Sequence, residues 1–110
     1  MFVTSDGSAY PRFRRALNTG NLNLIRAAAA ELPHIGLRDA LEICLLVRDE
    51  DLERFERAAV RWLGRFALEA REVTIDAVQT AAAALEALPA QPDRAMETLA
   101  GLCARHRVSV

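Results

Sequence analysis

Prolines, glycines and helix-capping polar residues divide this chain into six segments, and the segments repeat their apolar residues at steps of three and four. No stretch alternates apolar and polar residues with period two, and long β-branched runs are absent. Alanine (21 residues) and leucine (15) dominate, and both favour the helix. The expected fold class is therefore all-α.

The punctuation predicts where each helix begins and ends. A first helix is expected over 11–18, with Pro11 suited to its opening turn and Thr19-Gly20 ending it. Asn21 caps a second helix over 22–32, which Pro33 stops. A third spans 37–48. A fourth spans 50–71 and is opened by Asp49-Glu50-Asp51, whose carboxylates suit the positive end of the helix dipole. Thr74 caps a fifth helix over 75–88, closed by Pro89, and Pro92 opens a sixth over 93–107. Residues 1–9 lack periodicity and read as a flexible N-terminal tail, leaving 10–110 as a single all-helical domain.

Connections this short favour antiparallel neighbours. The expected arrangement is three helical hairpins, packed as a compact bundle or as a short α-solenoid-like array. The segments Phe13-Arg14-Arg15-Ala16-Leu17 and Leu37-Arg38-Asp39-Ala40-Leu41 look alike, and Ile75-Asp76-Ala77-Val78 is a weaker third copy. The hairpin pattern resembles short solenoids of the HEAT or tetratricopeptide type in architecture, without the signature residues of either.

Size and composition narrow the functions. At 110 residues the chain is too short for two independent cores. A formal net charge of −1 provides no overall basic field for nucleic acid or an anionic membrane. All 14 basic residues are arginine, so Schiff-base, pyridoxal-phosphate and Walker A lysines are excluded. No apolar run is long enough to span a bilayer, and the first eight residues do not read as a secretory signal. Cys44 and Cys103 both fall in apolar helical contexts. They read as reduced, buried thiols of a cytoplasmic protein, with a Cys44–Cys103 disulfide as the alternative.

Reactive constellations are missing from the pattern. The two histidines, His34 and His106, are far apart, and neither a Cys-x-x-Cys nor a Glu-x-x-His of the di-iron type occurs, so neither a metal nor another cofactor is expected. The serines lie in the expected tails, and no Gly-x-Ser-x-Gly elbow exists. Cys103 and His106 are three residues apart and read as a buried structural pair. The glycines are scattered singly, which leaves no phosphate-cradling loop. An enzyme is not expected.

The fourth segment is the strongest amphipath. Leu52, Phe55, Ala59, Trp62, Leu63 and Phe66 form one apolar stripe. Beside it run Arg54, Arg57, Arg61 and Arg65, a candidate interaction face, with Glu50–Arg54 and Glu53–Arg57 at the favourable spacing for ion pairs. The third segment is apolar around most of its circumference, with Arg38, Asp39 and Glu42 as its polar strip, so it is expected to be central. Apolar faces in excess of what a small interior can hold point to a non-enzymatic protein–protein interaction module, self-associating as a homodimer. The alternative is a nucleic-acid-associated regulatory protein using the Arg54/Arg57/Arg61/Arg65 face, although the overall charge argues against nucleic acid. A third reading is a small-ligand pocket near Trp62.

Overall fold

A computed structural model describes residues 5–108. Six α-helices and no strands occur among them: α1 (Ser5–Thr19), α2 (Leu22–Ala29), α3 (Leu37–Glu50), α4 (Leu52–Glu69), α5 (Ile75–Ala87) and α6 (Pro92–Arg105). Sequential partners pack as three helical hairpins, α1 with α2, α3 with α4, and α5 with α6. By contact the expected domain over 10–110 divides into two compact units, one ending at Ile35 and the other beginning at Gly36.

In the first unit, α1 begins at Ser5, so residues 5–9 of the expected tail are helical, and residues 1–4 lie outside the described residues. Pro11 sits inside the helix and does not open it. Its missing N–H costs one backbone bond, while Ala9, Phe13 and Leu17, spaced four apart, are all buried along one line. Gly20 follows with a φ of 70°, the left-handed position at which glycine is cheapest, and its N–H bonds to the Leu17 carbonyl at 3.1 Å. The Asn21 side chain accepts from the N–H groups of Asn23 and Leu24 at 3.0 and 3.2 Å, capping α2 as expected. α2 stops at Ala29, short of residue 32, because Glu31 and Leu32 turn back to the Ala28 and Ala29 carbonyls in tighter i→i+3 bonds ahead of Pro33. An Arg12–Glu31 ion pair ties α1 to the turn that follows α2.

The second unit settles bundle against solenoid. α3 packs on α4 and α6, and α5 packs on α4 and α6, so the four helices close into a ring. A stacked hairpin array would leave its first and last helices apart; the α3–α6 contact makes this a four-helix bundle. One residue separates α3 from α4. Asp51 is extended, ends α3 through its own N–H to the Val47 carbonyl, and caps α4 by accepting from Glu53 and Arg54. The acidic run is thus divided: Asp49 and Glu50 finish α3 and do not open α4, since only Asp51 has the cap geometry. Thr74 caps α5 through the Ala77 N–H at 3.1 Å.

The core comprises Leu37, Leu41, Cys44 and Val47 of α3, Phe55, Ala59, Trp62 and Phe66 of α4, an alanine-rich line on α5 ending in Leu85 and Leu88, and Ala95, Leu99, Leu102 and Cys103 of α6. The Trp62 Nε1–H donates to the Leu37 carbonyl at 2.8 Å, which satisfies the one polar atom of a buried ring. No apolar residue of α3 is exposed, in keeping with a central helix. Asp39, expected on its polar strip, is buried at 4% exposure.

The far end of the bundle is laced by backbone. The Arg71 N–H donates to the His106 carbonyl at 2.8 Å, and the His106 Nδ1–H donates to the Arg71 carbonyl at 3.0 Å. The α6 terminus is a Schellman motif: Val108 N–H bonds to the Cys103 carbonyl, Arg107 N–H bonds to that of Ala104, and Val108 and Cys103 are both buried. Its left-handed residue is Arg107, with φ of 53°, where glycine is the usual occupant. Arg107 is exposed, so Arg107→Gly removes strain without removing packing. It is expected to raise stability by about 1 kcal/mol, seen as a rise in Tm of a few degrees by calorimetry. An unchanged or lowered Tm would count against this reading of the turn.

Candidate functional site: the α4–α5 groove

The apolar stripe of α4 is wider than the part the core covers. Phe55, Ala59, Trp62 and Phe66 are buried, but Leu63 is half-buried and Leu52 is 63% exposed. On the same side Val60 is 65% exposed. Leu52, Val60 and Leu63, with Phe55 and Ala59, form one wall of a groove of about 540 Å³ whose other wall is Ala82 and Leu85 of α5, with Pro89 beyond the helix end. Phe55, Ala59 and Leu85 are buried along it. The groove exists because alanines, Ala59 and Ala82, line both walls where larger side chains would fill it. Its polar members are Glu56 and Glu86, one per helix, both exposed. Neither has an ion pair among the described residues.

The volume falls within the range of ligand sites, roughly 300–1,000 Å³. The lining holds no histidine, cysteine, serine or amide to act on a substrate. Its chemistry is therefore that of apolar contact with two carboxylates at the edges.

The arginine row lies on α4 beyond this groove, and its four members are not equivalent. Arg54 pairs with Glu50 at 3.8 Å, as the spacing predicts, and Arg65 pairs with Glu69 at 2.7 Å. Arg57 and Arg61 are exposed and make no ion pair among the described residues; the expected Glu53–Arg57 pair does not form. Two of the four cations are thus neutralised, Arg54 by the last residue of α3 and Arg65 within α4, which halves the charge free to meet phosphate.

The remaining candidates are placed as structural groups. Trp62 is buried and does not line the groove. His106 is half-buried, hydrogen-bonded to Arg71, and stands edge-on to Phe66 with ring centroids 6.0 Å apart. Cys44 and Cys103 are buried and not bonded to each other. Burial pushes the Cys44 thiol up to about 11, with Arg61 pulling weakly the other way. Burial also raises Cys103, opposed by Arg38 and assisted by Glu69. Protonated thiols are poor nucleophiles. Among the described residues no group of three or more His, Cys, Asp or Glu is placed to hold a metal ion, and no helix is long and apolar enough to cross a membrane.

The groove was only half visible in the pattern. The stripe containing Leu52 and Leu63 was legible, but Val60 lay off it, and the α5 wall carried no signal beyond its alanines. No protein-family model, curated protein or solved structure matches this chain.

Proposed function

We propose that this chain is a non-enzymatic protein–protein interaction module of the cytoplasm that receives an apolar helix face in the α4–α5 groove. The observation that carries the reading is the exposure of Leu52 and Val60 beside a groove floored by buried apolar side chains. Leaving two large aliphatic groups in water forgoes about 1.5–3 kcal/mol each relative to full burial. A partner helix placing side chains at steps of three and four recovers that energy without cofactor or chemistry. The rigidity of a four-helix ring supports the same use, because a preformed surface loses little entropy on binding.

Selection of helical peptides from a displayed library against the full chain tests this. Bound peptides should shift the amide resonances of Leu52, Val60, Leu63, Ala82 and Leu85. Val60→Asp, at an exposed position that leaves the core intact, should weaken binding by at least about tenfold, since it buries a charge in the contact. Ala82→Leu, which fills the groove, should do the same. Peptides that bind elsewhere, or binding indifferent to both substitutions, would refute the assignment.

A further inference from the structure

We propose that the partner docked in the α4–α5 groove is a basic amphipathic helix, one that carries arginine or lysine on both flanks of its apolar seam; this rests on the docking reading above and names the chemistry of its partner. The argument is the placement of two carboxylates. Glu56 stands on the α4 wall and Glu86 on the α5 wall, both exposed and without an ion pair among the described residues. Three and four positions from Glu56 are Leu52, Glu53, Ala59 and Val60, and three and four positions from Glu86 are Ala82, Ala83, Pro89 and Ala90. None of these is a cation, so neither helix neutralises its own carboxylate. Arg54 and Arg65 are matched by Glu50 and Glu69, and neither Arg57 nor Arg61 lines the groove.

The two carboxylates stand on opposite walls at nearly the same level. α4 ends at Glu69 and α5 starts at Ile75, and so short a connection returns the chain antiparallel. Glu56 lies 69 − 56 = 13 residues before that turn and Glu86 lies 86 − 75 = 11 residues after it, so their levels differ by two residues, or about 3 Å. From Leu52 to Leu63 the α4 wall rises about 17 Å, which seats about three turns of a helix. A helix lying along the groove therefore meets one carboxylate on each side of its seam. An uncharged occupant would desolvate both carboxylates without return, and an acidic one would be repelled by both. Arginine or lysine meets both demands of the rim. The aliphatic stem covers the exposed Leu52 and Val60, and the charged head stays in water beside the carboxylate. A helix with cations on one flank satisfies only one wall, so both flanks are required.

A displayed library of helices with a fixed apolar seam and randomised flanking positions, selected against the full chain, tests this. Arginine and lysine should be enriched on both flanks. Selection against the double variant Glu56→Arg/Glu86→Arg should enrich aspartate and glutamate at the same positions. By fluorescence anisotropy, the best peptide of the first selection should bind that double variant at least about tenfold more weakly, because two attractive rim contacts become repulsive. Circular dichroism checks that these exposed substitutions leave the helices intact. Flanks without a charge preference, or basic peptides whose binding ignores the double reversal, overturn the inference. If such peptides still depend on Val60, the docking reading survives and only the charge of the partner falls. If neither selection recovers a peptide, both fall. A dimer of the native chain that the peptide dissociates in sedimentation equilibrium makes a second copy the occupant and likewise overturns the inference.

Discussion

Phe66→Ala is expected to lower the unfolding free energy by about 4 kcal/mol. Phe66 has no exposed surface. Its ring stacks on Trp62 with centroids 5.6 Å apart and planes 6° from parallel, and the His106 ring meets it edge-on at 86°. Removing the ring empties a space walled by three elements: α4 itself, and the α4–α5 connection and α6 terminus that the Arg71–His106 hydrogen bonds lace together. Two aromatic contacts add about 1 kcal/mol each to the burial lost, and rigid backbone bonds hinder collapse into the void. For a domain whose whole stability is of order 5–15 kcal/mol, such a loss unfolds a large fraction of molecules at physiological temperature. Urea titration followed by Trp62 fluorescence measures it. Leu68→Ala on the same helix, at a side chain 88% exposed, provides the contrast, with a change within about 0.5 kcal/mol. Comparable effects at the two positions would mean that Phe66 is not a keystone of the bundle.

The second large effect depends on pH. Burial holds the Cys44 proton until about pH 11 in the folded protein, whereas an unperturbed thiol releases it near 9. A group whose pKa is raised on folding contributes its full stability below the unfolded value and loses it as pH rises through the folded one. The loss therefore falls between about pH 9 and 11, where unfolding releases a proton. Two pH units at about 1.4 kcal/mol each make it about 3 kcal/mol. Arg61 moderates the effect, since its charge favours the thiolate. Other groups titrate in this window, and Cys103 shifts in the same direction, so the measurement is a difference. Urea unfolding at pH 8 and pH 11, in the native chain and in Cys44→Ala, should give a pH-dependent loss about 3 kcal/mol greater for the native chain. Parallel losses in the two proteins would show that Cys44 is not protonated by burial. At pH 8 a thiol-specific reagent should modify neither cysteine until the chain unfolds.

The groove residue Val60 and the two stability residues lie on α3 and α4, and the same geometry separates them. Phe66 and Cys44 point where neighbouring helices cover them, while Val60 is left 65% exposed beside the groove. Spacing alone predicts ion pairs at Arg54 and Arg57. The structure pairs Arg54 with Glu50 at the end of α3 and Arg65 with Glu69 on α4, and Arg57 and Arg61 make no ion pair among the described residues. Spacing permits Glu53–Arg57 as well as Glu50–Arg54, and an exposed pair gains too little, about 0.3–0.5 kcal/mol, for spacing to decide which forms.

Local chemistry determined the helices. Asn21, Asp51 and Thr74 cap them because a short side-chain oxygen reaches the free N–H groups within one turn. The buried Phe55, Trp62 and Phe66 were legible because every position on a helix face is fixed by residues three and four away. The start of α1 ahead of Pro11, the burial of Asp39 and the closing contact of α6 on α3 were not, since each depends on what packs from a distant part of the chain. Nor did the pattern reveal that the edge of the α4 stripe stays open. Whether Leu52 is core or surface depends on the size of the alanines across on α5, and helical periodicity carries no information about the opposite wall.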